Sequence, residues 1–112
     1  RNLQRVTQSE HVEFFLIHLA FMHVHLGVGD PIQAESYLLS AQKIGQMHYD
    51  AKHPRTSLLL SSSANLSQLQ GQYKKALESY HKSIELRKAA GFDKYHALIA
   101  EDYEGIANCL AM

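Results

Sequence analysis

The chain has 112 residues, 46% of them apolar and 20% charged, with eleven basic residues against eleven acidic ones. That length admits one small domain, the apolar content excludes a disordered chain, and zero net charge offers no broad surface for nucleic acid or anionic membrane. No apolar run approaches bilayer length, no signal-peptide pattern opens the chain, and the lone Cys109 excludes an internal disulfide framework and fits a reducing, cytoplasmic compartment.

Thr7-Gln8-Ser9-Glu10 has capping-box spacing ahead of the first apolar run, which predicts a first helix over about His11–Leu26. Asp30-Pro31 reads as an N-cap followed by a first helical residue, where proline's missing N–H costs nothing. The second helix then runs from Pro31 to about Tyr49. His53-Pro54 reads the same way and opens a third helix, to Gln70. A fourth spans about Tyr73 to Ala90, and a fifth starts near Ala97 and reaches the end. Gly27, Gly29, Gly71 and Gly91 fall at the breaks. Leu58-Leu59-Leu60 is a short apolar run, but its neighbours are Ser, Ala and Asn rather than β-branched residues, so it predicts no strand. The links at 28–30 and 71–72 are short enough only for antiparallel hairpins. The expected fold class is all-α.

The chain also repeats itself. Gly29-Asp30-Pro31-Ile32-Gln33-Ala34-Glu35-Ser36-Tyr37-Leu38 and Gly71-Gln72-Tyr73-Lys74-Lys75-Ala76-Leu77-Glu78-Ser79-Tyr80 are offset by 42 residues. His11, His53 and His96 follow the same register, at spacings of 42 and 43, which places one inserted residue near Gly91. The expected organisation is a lead-in (1–10), a first repeat (11–52), a second (53–95), and the opening helix of an incomplete third (96–112). Because the chain opens on Arg1 rather than Met, it reads as an excised piece of a longer protein. A fixed period of this size points to stacked supersecondary units, each burying its apolar face on the next.

Leu60, Ala64, Gly71, Tyr73, Ala76, Tyr80 and Ser83 of the second unit resemble the pattern of tetratricopeptide repeats. The first unit matches at Gly29, Ala34, Leu38 and Ala41, and the third at Tyr103, Ile106, Ala107 and Leu110. The usual period is about 34 residues, so a 42-residue repeat with a His-Pro opening resembles the kinesin-light-chain-like subtype. Met22, His18, Ser63 and Ser67 depart from the pattern. The resemblance implies a right-handed superhelical array of antiparallel hairpins, five helices here, whose first helices line a concave groove that binds other proteins.

Eight histidines invite a metal or catalytic reading. His11, His18 and His25 share one helical face, but seven residues of helix separate neighbours by about 10 Å, too far for one metal. His18 and His25 are expected to pack between helices, while His11, His53 and His96 serve helix starts. Cys109 lacks a CxxC partner and reads as core or interface. Ser61-Ser62-Ser63 lacks the context of a nucleophile elbow, and Gly27-Val28-Gly29 lacks that of a phosphate loop. The expectation is a chain without enzymatic activity, cofactor or metal. A His-based metal-binding or regulatory domain remains a remote alternative.

By repeat register, His23, Asn65 and Asn108 occupy equivalent groove positions, and an Asn amide can grip the backbone of an extended peptide. Leu19, Leu26, Ser61, Ser62, Gln68, Glu101 and Glu104 are their expected neighbours. Glu101 and Glu104 stand where a clamp for chaperone tails needs Lys or Arg, which favours a basic or neutral partner segment. Lys74, Lys75, Lys82, Arg87 and Lys88 read as a solvated convex face. The fifth helix shows Ile99, Tyr103, Ile106, Leu110 and Met112 with no following helix to cover them. The expected function is a protein-interaction adaptor or scaffold that binds a partner's peptide or helix, with no nucleic acid and no membrane insertion. Self-association through the exposed terminal helix is the alternative, giving a homodimer at the C-terminal end.

Overall fold

The computed structural model of the chain describes residues 8–112, with side chains from His11 onward. The capping box expected at Thr7–Glu10 rests on Thr7 and on the side chains of residues 8–10, which lie outside what is described. Among them the secondary structure is entirely helical: α1 (Gln8–Gly27), α2 (Pro31–His48), α3 (Pro54–Leu69) and α4 (Tyr73–Ala111). The last element is interrupted at Gly91, whose φ of 145° and ψ of 101° lie outside helical space. Arg87 and Ser83 before the break reach Asp102 beyond it, so the two arms, 73–90 and 92–111, fold back on one another. Five helical rods result, as expected. The fifth begins directly after Gly91 rather than near Ala97, because one glycine makes the reversal without a loop. His96 therefore stands inside that rod and opens nothing.

Local chemistry accounts for the other boundaries. Asp30 accepts from the backbone N–H of Gln33 at 3.2 Å, and Pro31 follows it into α2. His53 caps α3 in the same way, its Nδ1 accepting from the N–H of Arg55 at 3.0 Å, ahead of Pro54. In the intervening turn Asp50 accepts from the Lys52 N–H, and Thr56 Oγ1 donates to the Asp50 carbonyl.

The 42-residue offset is written into the backbone itself. Gly29 has φ 77° and Gly71 has φ 78°, the left-handed conformation that closes a helix at low cost only for glycine. Around Gly29 the N–H groups of residues 28, 29, 30 and 34 bond to the carbonyls of residues 24, 26, 25 and 30; around Gly71 residues 70, 71, 72 and 76 bond to 66, 68, 67 and 72. Every pair in the second set is the first shifted by 42.

Each hairpin buries its own interior. α1 packs on α2, α3 packs on both arms of α4, and α3 joins the halves through α2 and the edge of α1. One core gathers Phe15, Leu19, Met22, Ala34, Leu38, Ala41 and Leu66; the other gathers Ala64, Ala76, Tyr80, Ile84, Ile99, Ile106 and Cys109. Burying one such large side chain stabilises the fold by about 1.5–3 kcal/mol. Leu58, Leu59 and Leu66 serve the first core while Ala64 serves the second, so α3 is used on both sides. The described residues spread over 53 × 33 × 18 Å, a slab rather than a sphere.

Candidate partner-binding groove

A groove follows α3 from end to end. At its start lies a cleft of about 480 Å³ walled by Leu16, His53, Leu58, Lys94, Tyr95 and Leu98. Midway, His23, Ser62, Asn65, Tyr80, Arg87 and Glu101 enclose about 240 Å³. Near the end, Leu26, Asn65, Gln68, Tyr73 and Met112 surround about 560 Å³. Leu58 and Leu98 border the first two clefts, and Asn65 borders the last two. α1 forms one bank and the second arm of α4 the other; the two never approach each other closely, which keeps the channel open.

Of the expected groove residues, His23, Ser61, Asn65 and Glu101 meet in the central cleft, and Leu26 and Gln68 wall the next one. Glu104 and Asn108 are exposed and line none of the three clefts. The second arm turns Leu98, Glu101 and Asp102 toward α3 instead.

The floor is fixed by polar contacts. Tyr80 Oη donates to Asn65 Oδ1 at 2.5 Å and lies 3.1 Å from Gln68 Oε1, leaving both amide NH2 groups free to donate to a ligand. Burial, with Cys109 and Asp102 nearby, pushes the Tyr80 hydroxyl up to about 12, so it remains a donor. His23 Nε2 lies 3.2 Å from Ser62 Oγ across the α1–α3 junction. Burial holds the His23 imidazole below its ordinary value of 6.5, with the nearby Glu101 carboxylate opposing that shift.

Beneath the groove lies a feature the sequence reading missed. Arg87 Nη1 donates to Asp102 Oδ2 at 2.7 Å, and each side chain is only 2% exposed. Arg87 Nε donates to Ser57 Oγ at 3.0 Å, and its Nη1 also reaches the Leu98 carbonyl. Ser83 and Ser61 donate to the two oxygens of Asp102 at 2.7 and 2.8 Å. Arg87 is therefore not a solvated residue as expected, whereas Lys74, Lys75, Lys82 and Lys88 are exposed. The available signal was spacing, because residues 76, 80, 83 and 87 form one inward stripe. The repeat equivalent of Arg87 is Gly45, where a Cβ would stand 2.8 Å from Leu59 Cδ1. The first inter-unit junction is thus an apolar contact and the second an ion pair.

The expectation for the terminal helix needs correction. Ile99 and Ile106 are buried, at 2% and 8% exposure, because the arm docks against α3 and residues 73–90. Tyr103 and Leu110 do remain exposed. Gly105 permits that docking: a Cβ there would overlap the Tyr80 ring. Cys109 is buried in the second core, and burial pushes its thiol up.

The histidines divide by environment. His25 stacks on Tyr37 at 5.4 Å with His18 tilted beside the same ring, while His11 stacks on His48 at 3.6 Å. Among the described residues, no group of three or more His, Cys, Asp or Glu side chains could hold a metal ion. No helix there is long and apolar enough to cross a membrane.

No protein-family model, curated protein or solved structure matches the chain. The functional reading rests on the groove.

Proposed function

We propose that this chain is a protein-interaction module of the tetratricopeptide type, whose groove along α3 holds an extended segment of a partner. The observation that carries the reading is the open channel between α1 and the second arm of α4, floored by the ordered amides of Asn65 and Gln68. A 16-residue helix is about 24 Å long, which matches about seven residues of extended chain. Two amides oriented by one tyrosine suit a ligand recognised through its backbone. Glu101 stands at the middle of the channel, while Arg55 and Lys94 stand at its His53 end. A segment with a basic residue opposite Glu101 fits that arrangement. The shared left-handed glycines and the 42-residue hydrogen-bond register support a repeat array of this kind.

The test is selection from a random peptide library, followed by affinity measurement on the enriched sequences. Enrichment of Lys or Arg at one position is expected, with binding weakened at least tenfold by Glu101→Lys and by Asn65→Ala. Recovery of no sequence above a scrambled control, or equal binding by both variants, would remove the groove from consideration. Association through the terminal helix is the weaker reading, because its Ile99 and Ile106 already serve the core.

A further inference from the structure

Two stretches of the α3 groove carry opposite and unmatched charge. Arg55 and Lys94 border the cleft at the His53 end, and no acidic side chain lines that cleft. Each cation rests on an aromatic ring: the Arg55 guanidinium lies 5.6 Å from the centre of Tyr49, and Lys94 Nζ lies 5.5 Å from that of Tyr95. His53 adds a donor, because its Nδ1 accepts from the Arg55 N–H and the proton of the neutral ring therefore sits on Nε2. Among the described residues the ion pairs are His25–Asp30 and Arg87–Asp102, which leaves Arg55 and Lys94 without an acidic partner. The sign reverses in the central cleft, which Glu101 borders. There Arg87 is already committed to Asp102, and His23, held below 6.5 by burial, is neutral at pH 7.

One helix sets the spacing of these charges. Lys94, Leu98 and Glu101 follow one another at steps of four and three residues, so they share a face of the second arm. The two charges stand two turns, or about 10 Å, apart along it. Leu58 and Leu98 border both clefts and form an apolar waist between them. A polyproline II segment returns a side chain to the same side every three residues, about 9 Å further on. A flat strand returns it at about 7 and about 13 Å, and neither distance matches. We infer that the groove selects a partner segment in the polyproline II conformation with an anionic and a basic side chain three positions apart, the anion beside Arg55 and Lys94 and the base beside Glu101. This inference rests on the peptide-binding reading and adds the charge pattern of the ligand to it. A carboxylate and a phosphorylated serine offer the same anionic oxygens to Arg55, and separate peptides tell them apart.

Labelled nonamer pools with capped termini test it, titrated against the intact chain at pH 7 by fluorescence polarisation. Each pool fixes one Glu and places one Lys two, three, four or five positions before or after it, with the remaining positions randomised. The spacing of three is expected to bind tightest, by about fivefold over two and five. Replacing the fixed Glu by phosphoserine is expected to keep the spacing preference, and replacing it by Gln to abolish it; the tighter of the Glu and phosphoserine pools names the anion. Arg55→Gln and Lys94→Glu are expected to remove the preference for the anion and keep that for Lys, while Glu101→Lys does the converse. Lys94→Glu/Glu101→Lys is expected to invert the preferred order of the two charges. Lys94 and Glu101 are exposed, so helical circular dichroism is expected to stay unchanged in these variants. Pools that bind regardless of charge and spacing, or a double variant that keeps the original order, overturn this inference and leave the groove in place. Binding by no pool overturns it and removes the peptide-binding reading as well.

Discussion

Replacing Asp102 by Ala tests the buried ion pair most directly. The substitution leaves the Arg87 guanidinium at 2% exposure with only Ser57 Oγ and the Leu98 carbonyl as acceptors. Breaking a buried pair by removing one partner costs about 3–5 kcal/mol, because the other charge stays desolvated. The two serines add little to that loss: Ser61 and Ser83 lie 3.0 Å apart and can bond to each other. A chain of 112 residues has a total stability of about 5–15 kcal/mol, so the variant loses a large fraction of it. Arg87→Met is expected to cost less, since both hydroxyls still donate to the carboxylate. The double variant Arg87→Met/Asp102→Leu is expected to be more stable than Asp102→Ala, because an apolar pair of similar volume often replaces a buried ion pair without loss. The molecule already holds an apolar version of the contact at Gly45 and Leu59. Urea unfolding followed by far-UV circular dichroism gives all three free energies. An Asp102→Ala loss below about 1 kcal/mol, or a double variant no more stable than Asp102→Ala, refutes the reasoning.

Gly91→Ala forces an L side chain to φ 145°, and a loss of about 1–3 kcal/mol in the same unfolding assay is expected. Tight reversal there matters more than space, since the nearest atom to a new Cβ is Lys94 Cβ at 3.7 Å. His23, held below 6.5 by burial, favours its neutral form in the folded state; its contribution is fully present above pH 6.5 and declines as the pH falls below that value. A stability–pH profile is expected to show this acid limb, and His23→Gln to flatten it. The buried Cys109, with its thiol pushed up, is expected to react with a disulfide reagent orders of magnitude more slowly than the urea-unfolded chain, as read by the absorbance of the released thiol.

Helix boundaries were legible where local chemistry sets them. Asp30-Pro31 and His53-Pro54 carry their own caps, and Gly29 and Gly71 carry the backbone conformation that ends a helix. Part of the cleft was legible too: the repeat register placed His23 and Asn65, which line it beside their expected neighbour Glu101, but it placed Asn108 there as well, which lies exposed outside it. Arg87 was misread because charge is ordinarily a surface signal, and only a partner 15 residues away in sequence makes its burial tolerable. Ile99 and Ile106 were misread because the reversal at Gly91 decides which side of the last rod faces inward.

The sequence alone determined the helical class, the 42-residue period and the two capped starts, since each depends on residues within a few positions of one another. Tertiary structure alone decided the use of faces. α1 is apolar around most of its circumference, so periodicity could not say that Phe15 and Met22 would be buried while Phe14 and Phe21 stayed bare. Ser57, Ser61 and Ser83 are unremarkable in sequence and become the shell of an ion pair only when α3 and both arms of α4 converge. A local code specifies rods and turns, whereas burial is a property of what each rod meets.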